Sequence, residues 1–90
     1  MQYQVSEVQI CPIKHHEGLV AFASLIFNDS FYLGSIGINT RPQGGLRLSY
    51  PTRKISDHNI PIFHPINKDV ANLIEQEVIS KLEEVYSAAK

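Results

Sequence analysis

Apolar residues recur at two spacings along this chain. They fall close to every second position up to about residue 63, then close to every 3.6 positions from residue 68, which predicts strands followed by one helix. In "QVSEVQICPI", residues 4–13, Val8 and Ile10 share one face while Gln9 and Cys11 share the other, and Pro12 marks an edge strand or a bulge. Glu17-Gly18 supplies a turn into "LVAFASLIF", residues 19–27. Both alternate sets of that second strand, Leu19, Ala21, Ala23, Leu25, Phe27 and Val20, Phe22, Ser24, Ile26, are largely apolar, which predicts burial on two faces.

"NDS", residues 28–30, has the chemistry of a hairpin turn and leads into a third strand, "FYLGSIGI". After the loop "NTRPQGG" comes "LRLSY", in which Leu46, Leu48 and Tyr50 point one way and Arg47 and Ser49 the other. "ISDHNIPIFHP" reads as a short edge strand or an irregular extended piece, because Pro61 interrupts its apolar residues. From Lys68 the positions Val70, Leu73, Ile74, Val78, Leu82, Val85 and Tyr86 form a helical stripe. Asn67 suits the N-cap, and Glu77 and Lys81 form a favourable i,i+4 pair. The expected fold is α+β: one domain over residues 1–90, with a small antiparallel sheet of four to five strands within about 4–63 and a C-terminal amphipathic helix over about 68–87.

The pattern also predicts assembly. Adding Ile79 spreads the helix stripe over roughly half the circumference, wider than the roughly 100° needed to dock on one sheet. One helix covers only one face of a sheet, and a second strand apolar on both faces needs a cover for the other. A homodimer meets both needs. Ninety residues also leave little room for a deep cleft within one subunit.

Composition narrows the function classes. A hydrophobic content of 43% with 19% charged residues is that of a folded domain. The lone Cys11 excludes an internal disulfide, and "MQYQVSEV" lacks the features of a signal peptide, so the cytoplasm is the expected compartment. The longest apolar run, residues 19–27, is about half of the roughly 20 needed to cross a membrane, and no membrane partner is expected. No phosphate-binding loop, nucleophile elbow or paired carboxylates appear, and Cys11 beside Pro12 has no helix N-terminus to activate it, so no enzyme is expected. His15 and His16 are adjacent and would point to opposite faces of a strand; neither a metal nor a cofactor is expected. His64, held extended by Pro65, suits a bond to a neighbouring carbonyl at the helix start.

The net charge of -1 conceals an uneven distribution. Arg41 to Lys54 holds four cations and no anion, whereas the helix carries Asp69, Glu75, Glu77, Glu83 and Glu84. Phosphate neutralisation needs several cations on one surface, with about six to ten contacts in a tight site. Lys14, Arg41, Arg47, Arg53 and Lys54 are the candidates; a two-fold dimer would double them, and the acidic helix should face away. Cations on a strand edge also serve to block aggregation. Tyr32 and Tyr50 have the chemistry to stack on bases, although Tyr50 shares the inward phase of Leu46 and Leu48, which favours packing.

"VSEVQI", "EGLVAFASLIFNDSF", "GGLRLSYPTRK" and "HPIN" at 64–67, followed by an amphipathic helix, together resemble the bacterial stage V sporulation protein G family, the SpoVG septation regulators. The likeness covers nearly the whole chain. It implies an antiparallel sheet with a C-terminal helix, a dimer, and nucleic-acid binding, to DNA or RNA, tied to septation, sporulation and gene regulation. The family's basic pair after its "P-S/T" step falls on Arg53 and Lys54. At other positions where that family usually carries cations, this chain has Gln9, Cys11, Leu19, Val20 and Gly37. The competing expectation is therefore a protein-interaction module that recruits a division or regulatory protein.

Overall fold

Four backbone positions with left-handed φ set the first two turns. Glu17 (φ 52°) and Gly18 (φ 89°) reverse the chain between His16 and Leu19, and Asn28 (φ 51°) and Asp29 (φ 54°) reverse it again. Paired left-handed residues match the right-handed twist of the strands they join. The Asn28 side chain also locks its turn to the chain start, since its Oδ1 accepts the Gln4 N–H at 2.7 Å. The hairpin chemistry read in both turns is realised.

The computed structural model describes residues 2–88. The elements run β1 (Val5–His16), β2 (Leu19–Phe27), β3 (Phe31–Thr40), β4 (Leu46–Ser49), β5 (Thr52–Ile55), β6 (His58–Pro61) and α1 (Lys68–Ala88). β1 to β4 form an antiparallel sheet in that order, and β5 and β6 pair with each other as a separate hairpin. The fold is thus α+β as expected, with a four-stranded sheet plus a two-stranded ribbon. Residues 52–55, between the expected fourth strand and the edge piece, form a strand of their own. The first and third strands also extend further than expected, to His16 and Thr40.

The strands are not regular. β1 carries an extra residue between the Ser6–Ile26 and Gln9–Ser24 pairs, where Glu7 adopts φ 50°. That bulge is why Val5 and Val8, of opposite parity, both pack on the core. A second irregularity follows Pro12, on the sheet's outer edge. β3 carries its extra residue at Ser35 (φ 59°). β4 covers only Gly37 to Thr40 of β3, so Phe31 to Ile36 lie beyond the last strand.

The helix lies on one face of the sheet. Ile74, Val78 and Leu82 form the buried core with Val20, Ala21, Ala23, Leu25, Ile36 and Ile38. Each large side chain buried there contributes about 1.5–3 kcal/mol. Among the described residues none covers the opposite face. Phe22, expected inside, is 39% exposed, and Ser24 and Ile26 are only half-buried. β2 is therefore sealed on one side alone, because a single helix spans a single face.

Asn67 caps the helix as expected: its Oδ1 accepts the Val70 N–H at 2.8 Å. His64 Nδ1 donates to the Pro65 carbonyl at 3.0 Å, a local tie at the helix entry. The expected Glu77–Lys81 pair does not form; Lys81 Nζ meets Glu84 instead, at 3.2 Å. An i,i+3 partner is as accessible on a helix as an i,i+4 one. Replacing Asn67 with Ala should lower the unfolding free energy by about 1 kcal/mol, and with it the melting temperature by roughly 4–8 °C, while Asn67→Ser should hold most of the stability. Thermal melts followed by circular dichroism check this.

Candidate nucleic-acid interface

The five candidate cations do not form one patch. Lys14 lies in the irregular end of β1, Arg41 in the β3–β4 loop, and Arg47 on β4 opposite Asn39. These three share one end of the sheet, because the Thr40 N–H donates to the Gly18 carbonyl at 2.9 Å and so draws the two neighbouring loops together. Arg53 and Lys54 lie past the other end of β4, on the β5–β6 hairpin. Among the described residues none of the five takes part in an ion pair.

The hairpin separates its two cations further. Arg53 pairs with Ile60 and Lys54 with Asn59, so adjacent side chains project from opposite faces of the ribbon. Arg53 shares its face with Ile55, Ile60 and Ile62, which are 49%, 45% and 61% exposed. Lys54 shares the other with Thr52 and Asn59. A ribbon of two strands packed on little else is marginal in water, and this one leaves three isoleucines of one face in solvent.

The helix acids do not all face away from the cations, as the sequence suggested. Glu83 lines a cleft of about 450 Å³ with His15, Thr40 and Leu46, at the end of the sheet that carries Lys14 and Arg41. A chain that runs antiparallel to its sheet brings the end of the helix back to the first turn. Arg47 is distinct: it sits on the uncovered face, one layer away from the helix, beside Asn39 and Ser49, where Asn39 Nδ2 donates to Ser49 Oγ at 3.0 Å.

Gly37 makes this arrangement possible. A Cβ there would stand 2.5 Å from Ser49 Oγ and 3.1 Å from Leu19 Cδ1, so the uncovered face closes over the glycine. A larger side chain at this position would have to displace the tips of Ser49 and Leu19.

Tyr50 is a core residue, as its phase implied. Its ring meets Phe63 edge-on at 5.9 Å, beside Val70 and Ile74. Burial, with a smaller push from the Glu75 carboxylate, raises its phenol to about 12. Tyr32 behaves oppositely and is 71% exposed on the uncovered face. Cys11 is exposed there too, opposite Phe22. His16 Nε2 lies 3.7 Å from Glu17 Oε2 at the exposed first turn. Among the described residues no three His, Cys, Asp or Glu side chains converge as a metal site would require.

The SpoVG family model matches residues 3–84. The chain belongs to the SpoVG family. It is 33% identical over 88 residues to the "Putative septation protein SpoVG" of Caldicellulosiruptor saccharolyticus, covering 97% of this chain and 99% of that protein. The protein of the same name from Phytoplasma australiense is 29% identical over 83 residues, covering 91% and 85%. That from Archaeoglobus fulgidus is 26% identical over 82 residues, covering 90% and 95%. The SpoVG match spans both the sheet and the separate hairpin, so Arg53 and Lys54 fall within it. Among the described residues no helix is long and apolar enough to cross a membrane.

One consequence of Tyr50's burial is measurable. Its phenol is raised from 10.0 to about 12 in the folded protein, so unfolding at pH between those values releases a proton. Stability from this group is fully present below pH 10 and is lost as the pH rises from 10 through about 12. An absorbance titration should show one tyrosine ionising at about 12, and Tyr50→Phe should remove that step.

Proposed function

We propose that this SpoVG-family chain acts in septation and sporulation as a homodimeric regulator that binds nucleic acid, with Lys54 and Arg53 as the central phosphate contacts. The observation that carries this reading is the projecting β5–β6 hairpin, which holds two cations without ion-pair partners among the described residues. Such cations reach phosphate at little desolvation cost, and their contribution is electrostatic and independent of sequence.

The dimer contact in this reading is the isoleucine face of the hairpin. Ile55, Ile60 and Ile62 on one copy meet the same residues on the other about a two-fold axis, which covers the exposed apolar strip on both at once. Thr52, Lys54 and Asn59 then face outward from each ribbon. Arg53 stands opposite Ile60 within that face, so its long stem packs among the isoleucines and its guanidinium has to snorkel to the edge of the contact, which leaves Lys54 the freer of the two cations. Arg47, Lys14 and Arg41 serve as auxiliaries, the last two at the end of the sheet whose cleft Glu83 lines.

The isoleucine face also favours a second reading, a protein-interaction module in which a division or regulatory protein covers the strip in place of a second copy. That complex would survive nuclease treatment, whereas one bridged by nucleic acid would be lost.

Sedimentation should give twice the 10.1 kDa of one chain, and Ile60→Lys should return it to the single-chain mass. A parent of single-chain mass would reject the dimer. In fluorescence anisotropy against labelled DNA and RNA, the Arg53→Ala, Lys54→Ala double variant should bind more weakly to every sequence and show a salt slope reduced by about one to two phosphate contacts. Lys54→Ala alone should remove about one. Unchanged affinity at every salt concentration would overturn the assignment.

A further inference from the structure

The uncovered sheet face and the hairpin differ in chemistry. The hairpin strip is aliphatic, and isoleucine offers a base nothing to stack on. The sheet face instead presents two aromatic rings, Phe22 and Tyr32, with Gln9, Cys11, Ser24 and Ser35 around them, and these six side chains line one cleft of about 360 Å³. That volume lies at the small end of the roughly 300–1,000 Å³ of ligand sites. No carboxylate lines the cleft.

Tyr32 is posed as a platform. A Cβ on Gly34 would stand 3.0 Å from Tyr32 Cε2 and 3.1 Å from its hydroxyl, so the ring lies down along the sheet over the glycine. One ring face rests on Gly34, and at 71% exposure most of the other is open. The Ser35 bulge turns its own side chain to the rim of the same cleft. Arg47 shares this sheet face on β4, two strand spacings, or about 10 Å, from β2.

We propose that this cleft takes an unpaired nucleobase of a single-stranded nucleic acid, held between Phe22 and Tyr32, with the Arg47 guanidinium on a neighbouring phosphate. Exposed rings give stacking that tolerates any base. The Gln9 amide and the Ser24 and Ser35 hydroxyls supply donors and acceptors for a base edge. A cation on a face without a lining carboxylate attracts the phosphate chain rather than an acidic counterpart on a protein surface. Duplex DNA keeps its bases stacked and would not enter; it would use the hairpin cations alone. The site rests on the nucleic-acid reading above and adds to it a preference for single strands.

The chain has four tyrosines and no tryptophan, so its intrinsic emission reports on tyrosine. Oligo(U) and oligo(dT) should quench that emission, and labelled duplex should not. Tyr32→Leu and Phe22→Leu keep apolar bulk but remove the ring, and each should weaken single-strand binding about 5- to 150-fold while leaving duplex binding unchanged. Tyr32→Phe should bind single strands like the parent. A Tyr32→Leu variant with parental melting temperature that binds oligo(U) and oligo(dT) as tightly as the parent overturns the cleft but leaves the hairpin reading intact. A parent that binds neither duplex nor single strand overturns both. Loss of the dimer in Tyr32→Leu would assign this face to self-association and overturn the cleft.

Discussion

One helix has two sheet faces to serve and can cover only one. Ile74, Val78 and Leu82 fill the inner face together with Ala21, Ala23, Leu25, Ile36 and Ile38. The rest of the surface is set by what this leaves over. The outer face keeps its aromatic residues in solvent, and the hairpin beyond β4 gains almost no support from the core.

Much of this was legible in the chain itself. The helix announced its length, its cap at Asn67 and its buried stripe, since 3.6-residue spacing over 21 residues leaves few alternatives. The Glu17-Gly18 and Asn28-Asp29 turns were equally clear, because few residue pairs accept left-handed backbone. The opposed faces of "LRLSY" also held, with Leu46, Leu48 and Tyr50 inward and Arg47 and Ser49 outward.

Other features depended on contacts that no local pattern encodes. Glu7 has no sequence mark of a bulge, yet its φ of 50° shifts the phase of β1. Phe22 has the right parity for a second apolar face, but whether that face is covered is a question of how many helices are available. The pair Arg53 and Lys54 looked like a unit in sequence. Strand pairing divides them between an isoleucine face and a polar one, and only the register with Ile60 and Asn59 reveals it. The tertiary placement of Glu83 in one cleft with His15 and Thr40 was likewise hidden.

The left-handed Ser35 on β3 has a bearing on solubility. Beyond β4, the stretch from Phe31 to Ile36 lies at the sheet's margin, with amides and carbonyls of the kind that recruit foreign strands into fibrils. A straight edge of that composition would template its own copies. The bulge breaks the regular repeat of ladder groups part-way along and twists the margin out of plane, so an incoming strand finds no continuous register to zip against. The same residue that helps to shape a cleft on the sheet face thus also guards the chain against amyloid-like growth.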